Sequence, residues 1–199
     1  TGPVAAESLR LLAKWVDIEA VFTKPKPEHH RGTFPVIDVA SEIGSPIVYV
    51  TNKKDLTEKL FAQKFESIVG VLIDFGIIVE QDVIDYFPRG ILNSHFSLLP
   101  EWRGADPITF SILSGQERTG VSLMKLVAAM DEGPIVSLSV QPLDDTMTTP
   151  ILTKKLIIEL TGKNANLLLV ENEIIVDSLK HISSQINSYR VILPGQKYL

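Results

Sequence analysis

The chain has no cysteine, which excludes a disulfide framework, a thiolate metal site and a cysteine nucleophile. No apolar run approaches the roughly 20 residues that a membrane-spanning helix needs. No secretory leader is visible, so we expect a cytoplasmic protein without a membrane partner. Excess positive charge is lacking as well, because the net charge is −5. The whole chain therefore exerts no general attraction on nucleic acid.

What remains is an ordinary globular composition, with 45% hydrophobic and 22% charged residues in 199. This is enough for one domain with a full core. Helical and strand patterns alternate, which predicts an α/β fold. Helices are expected over 4–15, 34–43, 52–65, 80–87, 107–113, 151–160, 165–170 and 174–186. Strands are expected over 18–23, 47–50, 67–73, 120–127 and 134–140, and the apolar run 67–73 is typical of a buried parallel strand.

Polar residues end a short apolar strand that begins at Gly90. Asn93, His95 and Ser97 alternate, so in extended chain their side chains share one face. Open α/β sheets place their ligands at the carboxyl ends of strands. Asp131 follows a second apolar strand, in a turn closed by Gly133. We therefore expect these polar groups to line one site.

The chemistry that these groups suit is attack by a neutral nucleophile on a carbonyl. Asn93 offers an amide donor for a developing oxyanion. His95 can move a proton near neutral pH, and a carboxylate such as Asp131 can orient it. No serine lies in a nucleophile-elbow pattern, so the nucleophile belongs to the substrate.

Each of these residues also has an ordinary structural interpretation. An Asn-x-His at a strand end is more often part of a turn than of a catalytic site, and an Asp before Glu-Gly is usually an exposed turn residue. Ser97 can simply cap the turn that follows it. The residues by themselves indicate a carbonyl-directed acid–base site and leave these alternatives open.

The segment Asn93-Ser-His-Phe-Ser-Leu-Leu-Pro-Glu-Trp-Arg-Gly-Ala-Asp-Pro-Ile resembles the signature of the folate-dependent formyltransferases. Its Trp102-Arg-Gly-Ala is closest to the enzymes that formylate methionyl-tRNA. Thr119-Gly-Val-Ser-Leu-Met and Asp131-Glu-Gly-Pro follow at the family's spacing. The resemblance runs from Thr1 to about Leu169 and is dense between residues 69 and 142.

The resemblance implies an α/β fold with an open, mostly parallel doubly wound sheet and helices on both faces. The family places a central strand upstream of a segment like Thr1-Gly-Pro. Without that strand, two sheet edges and an apolar slot should be exposed. We predict a catalytic domain over residues 1–184. Residues 185–199 would be a tail or the start of a missing C-terminal domain.

The resemblance also implies roles for the site residues. Asn93 would stabilise the oxyanion, His95 would act in proton transfer, and Asp131 would orient His95. The formyl donor would be 10-formyltetrahydrofolate. The residues expected to hold this folate are Phe75, Gly76, Ile77, Ile78, Ser97 and Met130. The cations expected to hold the acceptor, an initiator methionyl-tRNA, are Lys24, Lys26, Arg31 and Arg103.

Three substitutions depart from the family's pattern, namely Asp74, Phe96 and Glu132. None of them removes a catalytic group. No metal is expected, because the adjacent His29 and His30 point apart and no third ligand is near.

Three functions remain open at this point. The first is formylation of methionyl-initiator tRNA. The second is the same chemistry on an amino sugar nucleotide or on glycinamide ribonucleotide, which the short loop over residues 24–31 favours. The third is folate binding without turnover. Retention of Asn93, His95 and Asp131 together argues against the third.

Overall fold

A computed structural model describes residues 2–163 of the chain. The chain forms two compact units, one ending at Ile91 and the other beginning at Leu92. In the part of the chain that is described, no helix is long and apolar enough to cross a membrane. The helices expected over 165–170 and 174–186, and the segment 185–199, lie outside the described residues.

The first unit alternates helices and strands in the predicted order. Asn52 begins α3 because its side chain accepts a hydrogen bond from the backbone N–H of Asp55 at 3.0 Å. Pro35 begins α2 at a position where a proline costs no hydrogen bond. The elements are α1 (Pro3–Leu12), β1 (Val21–Thr23), α2 (Pro35–Glu42), β2 (Ile47–Tyr49), α3 (Lys53–Ala62), β3 (Gly70–Ile73) and α4 (Gln81–Tyr86).

The core of this unit lies against β1. Strands β1 and β2 are parallel, with Val21 opposite Ile47. Helices α1 and α2 contribute Ala6, Val36 and Val39, which are buried with Val21 in one apolar cluster. Both helices therefore pack on the first strand through these apolar side chains. Helix α1 ends at Leu12 and Trp15 is exposed, so the helix is shorter than the predicted 4–15.

Strand β3 differs from its prediction. It is shorter than the expected 67–73, and it does not join the two-stranded sheet of β1 and β2. Val71 and Ile68 each retain 43% exposure. The prediction of a buried strand was therefore wrong, because the apolar run is not covered as a parallel strand between two neighbours would be.

Glu19 ties the segment before β3 to the start of β1. Its carboxylate accepts hydrogen bonds from the Ser67 hydroxyl at 2.5 Å and from the backbone N–H groups of Glu66 and Ser67 at 2.8 Å each. These hydrogen bonds hold the pKa of Glu19 below its ordinary value of 4.5. The bond from the Ser67 hydroxyl has the largest effect, and the bond from the Glu66 N–H comes next. Nothing in the sequence predicted this contact, because 47 residues separate Glu19 from Glu66.

We expect Glu19→Gln to lower the free energy of unfolding at pH 7 by about 1–2 kcal/mol, since a charged acceptor is lost at a partly exposed site. A depressed pKa contributes stability above the unfolded pKa, and this contribution disappears as the pH falls through the folded pKa. The difference between the two proteins should therefore shrink below about pH 4.5. Urea unfolding at several pH values measures it. Glu66→Gln is the matched control, and an equal effect there would refute the role of Glu19.

The second unit is an antiparallel sheet with two helices. Its elements are β4 (Ile91–His95, with Ile91 counted in the first unit), α5 (Pro107–Leu113), β5 (Arg118–Lys125), β6 (Ile135–Pro142) and α6 (Thr149–Lys163). Strand β4 pairs antiparallel with β5, and β5 pairs antiparallel with β6. The strands predicted over 120–127 and 134–140 are therefore present as β5 and β6, and the two form a hairpin.

Two glycines allow the strands of this hairpin to approach each other. A Cβ on Gly120 would lie 1.9 Å from the Ser139 carbonyl oxygen, and one on Gly133 would lie 1.7 Å from the Lys125 carbonyl oxygen. A backbone atom cannot yield by the ångström or more that such a contact demands. Gly133 was predicted to close the turn, and the structure shows that close approach of the backbone is the reason.

Asp144 lies in the turn that precedes the last described helix. Its side chain accepts hydrogen bonds from the hydroxyl and the backbone N–H of Thr146 at 2.5 and 2.9 Å. These bonds, the hydroxyl first, lower the pKa of Asp144. The residue therefore closes the turn that precedes α6, and the helix begins at Thr149.

Candidate functional site

Strand β4 places Asn93 and His95 on one face of the sheet. Met124 lies opposite Asn93 and Ser122 lies opposite His95 in the antiparallel register. All five residues of β4 are buried. The period of two that the sequence shows is therefore realised for the first two polar residues, and both side chains are largely removed from water.

The His95 ring has a different partner at each nitrogen. Nε2 lies 2.8 Å from the main-chain carbonyl oxygen of Trp102. A carbonyl can only accept, so Nε2 carries the proton and the neutral ring keeps its lone pair on Nδ1. Nδ1 lies 3.7 Å from Oδ1 of Asp131. That distance is too long for a hydrogen bond and within the range of an ion pair.

Asp131 is held in place by the loop that follows β4. Its Oδ2 accepts a hydrogen bond from the backbone N–H of Gly104 at 2.8 Å. Its φ is +52°, a left-handed conformation that aspartate tolerates better than most residues. The side chains of Asp131 and His95 are 11% and 8% exposed. A carboxylate in such surroundings stabilises a positive charge on the neighbouring ring more strongly than it would in water.

The Asn93 side chain differs from those of His95 and Asp131 in having no hydrogen bond within the described part of the chain. The residue is 8% exposed, and none of the hydrogen bonds described for residues 2–163 uses its side chain. Buried amide groups are normally hydrogen-bonded. An amide beside His95 that lacks a hydrogen bond can donate one to an oxygen atom of a bound molecule.

Ser97 does not continue this face. Strand β4 ends at His95, and the fully buried Ser97 hydroxyl donates to the Glu101 carbonyl at 2.5 Å. The prediction that Ser97 faces the same side as Asn93 and His95 assumed an extended chain that the structure does not have. Its hydroxyl closes the turn, as the alternative interpretation proposed. A contact from Ser97 to folate stays a prediction.

The remaining predicted residues of the second unit are exposed. Arg103 Nη1 lies 3.3 Å from Glu132 Oε1, and both side chains are about half exposed. Met130 is 70% exposed. Phe96, one of the three departures from the family's pattern, is buried.

The other predicted residues lie in the first unit. Residues 75–78 form a turn in which the Ile77 N–H donates to the Phe75 carbonyl at 2.9 Å, and Ile78 is 72% exposed. Within the unit, the Lys24 ammonium lies 3.4 Å from where a Cβ on Gly76 would be. Lys26 donates to the Gly32 carbonyl at 2.7 Å, and Arg31 is exposed. The roles predicted for these residues in folate and acceptor binding stay predictions.

Sequence reasoning missed several groups that build the site. The Trp102 carbonyl holds His95, and the Gly104 N–H holds Asp131. The Ser122 hydroxyl holds the turn that follows His95. Ser122 donates to the Ser97 carbonyl at 2.6 Å and accepts from the Leu99 N–H at 2.9 Å. Trp102, Gly104 and Ser122 all stand in the quoted motifs, but main-chain partners leave no signal in residue type. Within residues 2–163 no cluster of three or more metal-ligating side chains occurs.

Comparison with known families gives two matches. The family model described as Formyl transferase matches residues 13–159. The model described as NFACT N-terminal and middle domains matches residues 125–199. The two overlap over 125–159, and the residues beyond 159 match the second model alone.

Curated relatives share extended identity with the chain. The methionyl-tRNA formyltransferase of Dehalococcoides mccartyi (strain CBDB1) is 40% identical over 150 residues, which are 73% of this chain and 48% of the relative. That of Bifidobacterium adolescentis is 38% identical over 149 residues, which are 70% of this chain and 45% of the relative. The chain thus spans about half the length of these relatives.

Solved structures share the fold. Phosphoribosylglycinamide formyltransferase from Anaplasma phagocytophilum has a TM-score of 0.68 at 18% identity, over 88% of this chain and 83% of its own. Glycinamide ribonucleotide transformylase 1 from Symbiobacterium toebii has a TM-score of 0.69 at 18% identity, over 95% and 89%. The predicted α/β fold with open sheets, of the formyltransferase type, is confirmed.

Proposed function

This chain belongs to the formyl transferase family, and on that premise we propose that it transfers a formyl group from 10-formyltetrahydrofolate to the amine of methionyl-initiator tRNA. The observation that carries the proposal is the convergence of three groups. Asn93 and His95 share one face of a buried strand, and the Asp131 carboxylate lies 3.7 Å from the His95 ring. The choice of acceptor is supported by the names of the relatives that are 33–40% identical.

The reaction forms one carbon–nitrogen bond and breaks another. The amine attacks the formyl carbon, and the carbonyl electron pair moves onto oxygen. When that oxygen returns its electrons, the bond from the carbon to N10 of the folate breaks. One proton leaves the amine and one arrives on N10, so the products are a formamide and tetrahydrofolate. The protein has to stabilise the oxyanion and carry the proton.

Asn93 and His95 divide these two tasks. No residue in the described range 2–163 hydrogen-bonds the buried Asn93 amide, so its N–H group is available to the oxyanion without breaking a bond described there. His95 holds its Nε2 proton against the Trp102 carbonyl, which leaves Nδ1 to take the proton of the attacking amine. The imidazolium so formed faces Asp131, and the Gly104 N–H keeps that carboxylate aimed at the ring.

The wider site is assigned by the same proposal. Phe75, Gly76, Ile77, Ile78, Ser97 and Met130 would contact the folate. Lys24, Lys26, Arg31 and Arg103 would contact tRNA phosphates. Arg103 is exposed and its ion pair with Glu132 is weak at 3.3 Å, so it can exchange that partner for a phosphate at little cost.

A second acceptor is supported by the fold neighbours. Structures named as phosphoribosylglycinamide formyltransferases cover 88–96% of this chain. At about 20% identity this likeness concerns the fold, but it shows that a unit of this size carries a full enzyme of that name. Glycinamide ribonucleotide, or an amino sugar nucleotide, is therefore the alternative amine.

The test supplies the full chain with 10-formyltetrahydrofolate and three acceptors in parallel: charged initiator methionyl-tRNA, glycinamide ribonucleotide and a uridine diphosphate amino sugar. Absorbance follows tetrahydrofolate release, and mass spectrometry identifies the formylated product. We expect formylation of methionyl-tRNA above the other two. Preferred formylation of another amine would support the alternative. Folate binding by calorimetry with no product from any acceptor would leave a folate-binding protein without turnover.

A further inference from the structure

The His95 ring takes its orientation from a backbone group that is itself under strain. Trp102 supplies the carbonyl that accepts from Nε2, and its φ is +52°. A bulky side chain in the left-handed region is a genuine outlier that persists only when neighbouring contacts hold it. The contacts that hold Trp102 therefore decide where its carbonyl points.

One of these contacts is a hydrogen bond from the indole. Trp102 Nε1 donates to Gln116 Oε1 at 2.7 Å. The Gln116 amide nitrogen in turn donates to the Arg118 carbonyl at 2.5 Å and lies 3.5 Å from a Glu101 carboxylate oxygen. The indole is only a donor and the other two groups are only acceptors, so the orientation of this amide is determined by its partners.

A second contact is the ring of Phe110. It stacks on the Trp102 indole with centroids 5.8 Å apart and an angle of 14° between the planes. The stacking does not depend on the indole N–H, so the hydrogen bond to Gln116 can be removed while the ring stays packed.

Gln116 and strand β5 connect Trp102 back to the strand that carries His95. Gln116 joins Trp102 to Arg118, the first residue of β5. Strand β5 pairs with β4, and Ser122 of β5 lies opposite His95 of β4. The connection returns from His95 to Trp102 through the bond at Nε2.

We propose that Gln116 is a positioning residue for His95. It holds the Trp102 carbonyl against Nε2 and thereby keeps the basic nitrogen, Nδ1, on the side of Asp131. Among the described hydrogen bonds, none joins Gln116 to the Asp131 carboxylate or to the His95 ring, so Gln116 acts on the ring through Trp102. This inference rests on the proposed function for its kinetic consequence and on geometry for its structural one.

The experiment reads the His95 tautomer directly. Nitrogen-15 NMR of the imidazole distinguishes a proton on Nε2 from one on Nδ1, and the chain has four histidines, of which His95→Gln identifies the relevant signal. Gln116→Met removes the acceptor, and Trp102→Phe removes the donor and keeps the stack on Phe110. Gln141→Met is the matched control, because Gln141 donates only to the neighbouring Pro142 carbonyl.

We expect the full chain to show the Nε2–H form, and Gln116→Met and Trp102→Phe to show a mixture of both tautomers. The double variant should equal either single one. In the formylation assay both should lower kcat about three- to tenfold, the effect of one hydrogen bond, with KM changed less than twofold. Gln141→Met should retain the wild-type tautomer and kcat.

An unchanged His95 signal in Gln116→Met and in Trp102→Phe would overturn the inference, and so would additive losses in the double variant. The NMR measurement needs no substrate. If the wild-type chain formylates no amine while the tautomer still shifts, the proposed function fails and the positioning role stands. If the chain is active and the tautomer does not shift, the positioning role fails by itself.

Discussion

Replacing His95 by glutamine is expected to lower kcat for formyl transfer by about 10²–10⁴, the usual contribution of a positioned acid–base group. The glutamine amide is close in size to the ring and can still donate to the Trp102 carbonyl. It cannot take up the proton of the attacking amine, and it cannot form the cation that faces Asp131. Steady-state kinetics with methionyl-tRNA measures the loss.

The matched control is His29→Gln, since His29 is exposed in the loop of the first unit. Its kcat should remain within twofold of wild type. Circular dichroism should show that both variants fold. A His95→Gln protein with more than half of the wild-type kcat would contradict the role of the ring in proton transfer.

Replacing Asn93 by alanine is expected to lower kcat by about 10²–10³, the range of about 2.7–4 kcal/mol found when one oxyanion donor is removed. The ground-state carbonyl oxygen interacts with the amide more weakly than the oxyanion does, so KM should change little. The stability of the protein should also change little. The Asn93 side chain makes none of the hydrogen bonds described, so its removal leaves no buried partner unsatisfied.

Asn52→Ala is the matched comparison, because it should lower stability and leave the formylation activity unchanged. Asn52 caps α3, and loss of a cap costs about 1 kcal/mol of stability. Urea unfolding should therefore detect Asn52→Ala more strongly than Asn93→Ala, while the formylation assay should detect Asn93→Ala alone. An Asn93→Ala protein that is unstable and has its activity reduced only in proportion to its folded fraction would indicate a structural role for the amide.

These two variants also separate turnover from binding. If the chain only binds folate, His95→Gln and Asn93→Ala have no turnover to lose, and calorimetry should give wild-type folate affinity for both. If it is a transferase, both lose kcat and keep most of their folate affinity, because neither group is assigned to the folate ring.

Local rules predicted the elements and one face of the site. The Asn52 cap, Pro35 and Pro107 place the starts of three helices, and each acts within one helical turn of its own position. Asn93 and His95 share a face because successive side chains of any strand alternate. The hairpin of β5 and β6 followed from two apolar runs with a glycine-containing turn between them. Such features depend on a few consecutive residues, so the amino-acid sequence by itself determines them.

The tertiary structure decided everything that depends on a distant partner. Ser97 turns away from Asn93 because the chain bends after His95, and Ser122, on another strand, holds that bend. Strand β3 is exposed because burial depends on its neighbours as well as on its own apolar residues. Glu19 binds backbone 47 residues away. The proton position on His95 is determined by the Trp102 carbonyl, whose direction is set by a left-handed backbone that no local preference of tryptophan would predict. Main-chain groups are the same in every residue, so their roles appear only when the fold brings them to a side chain.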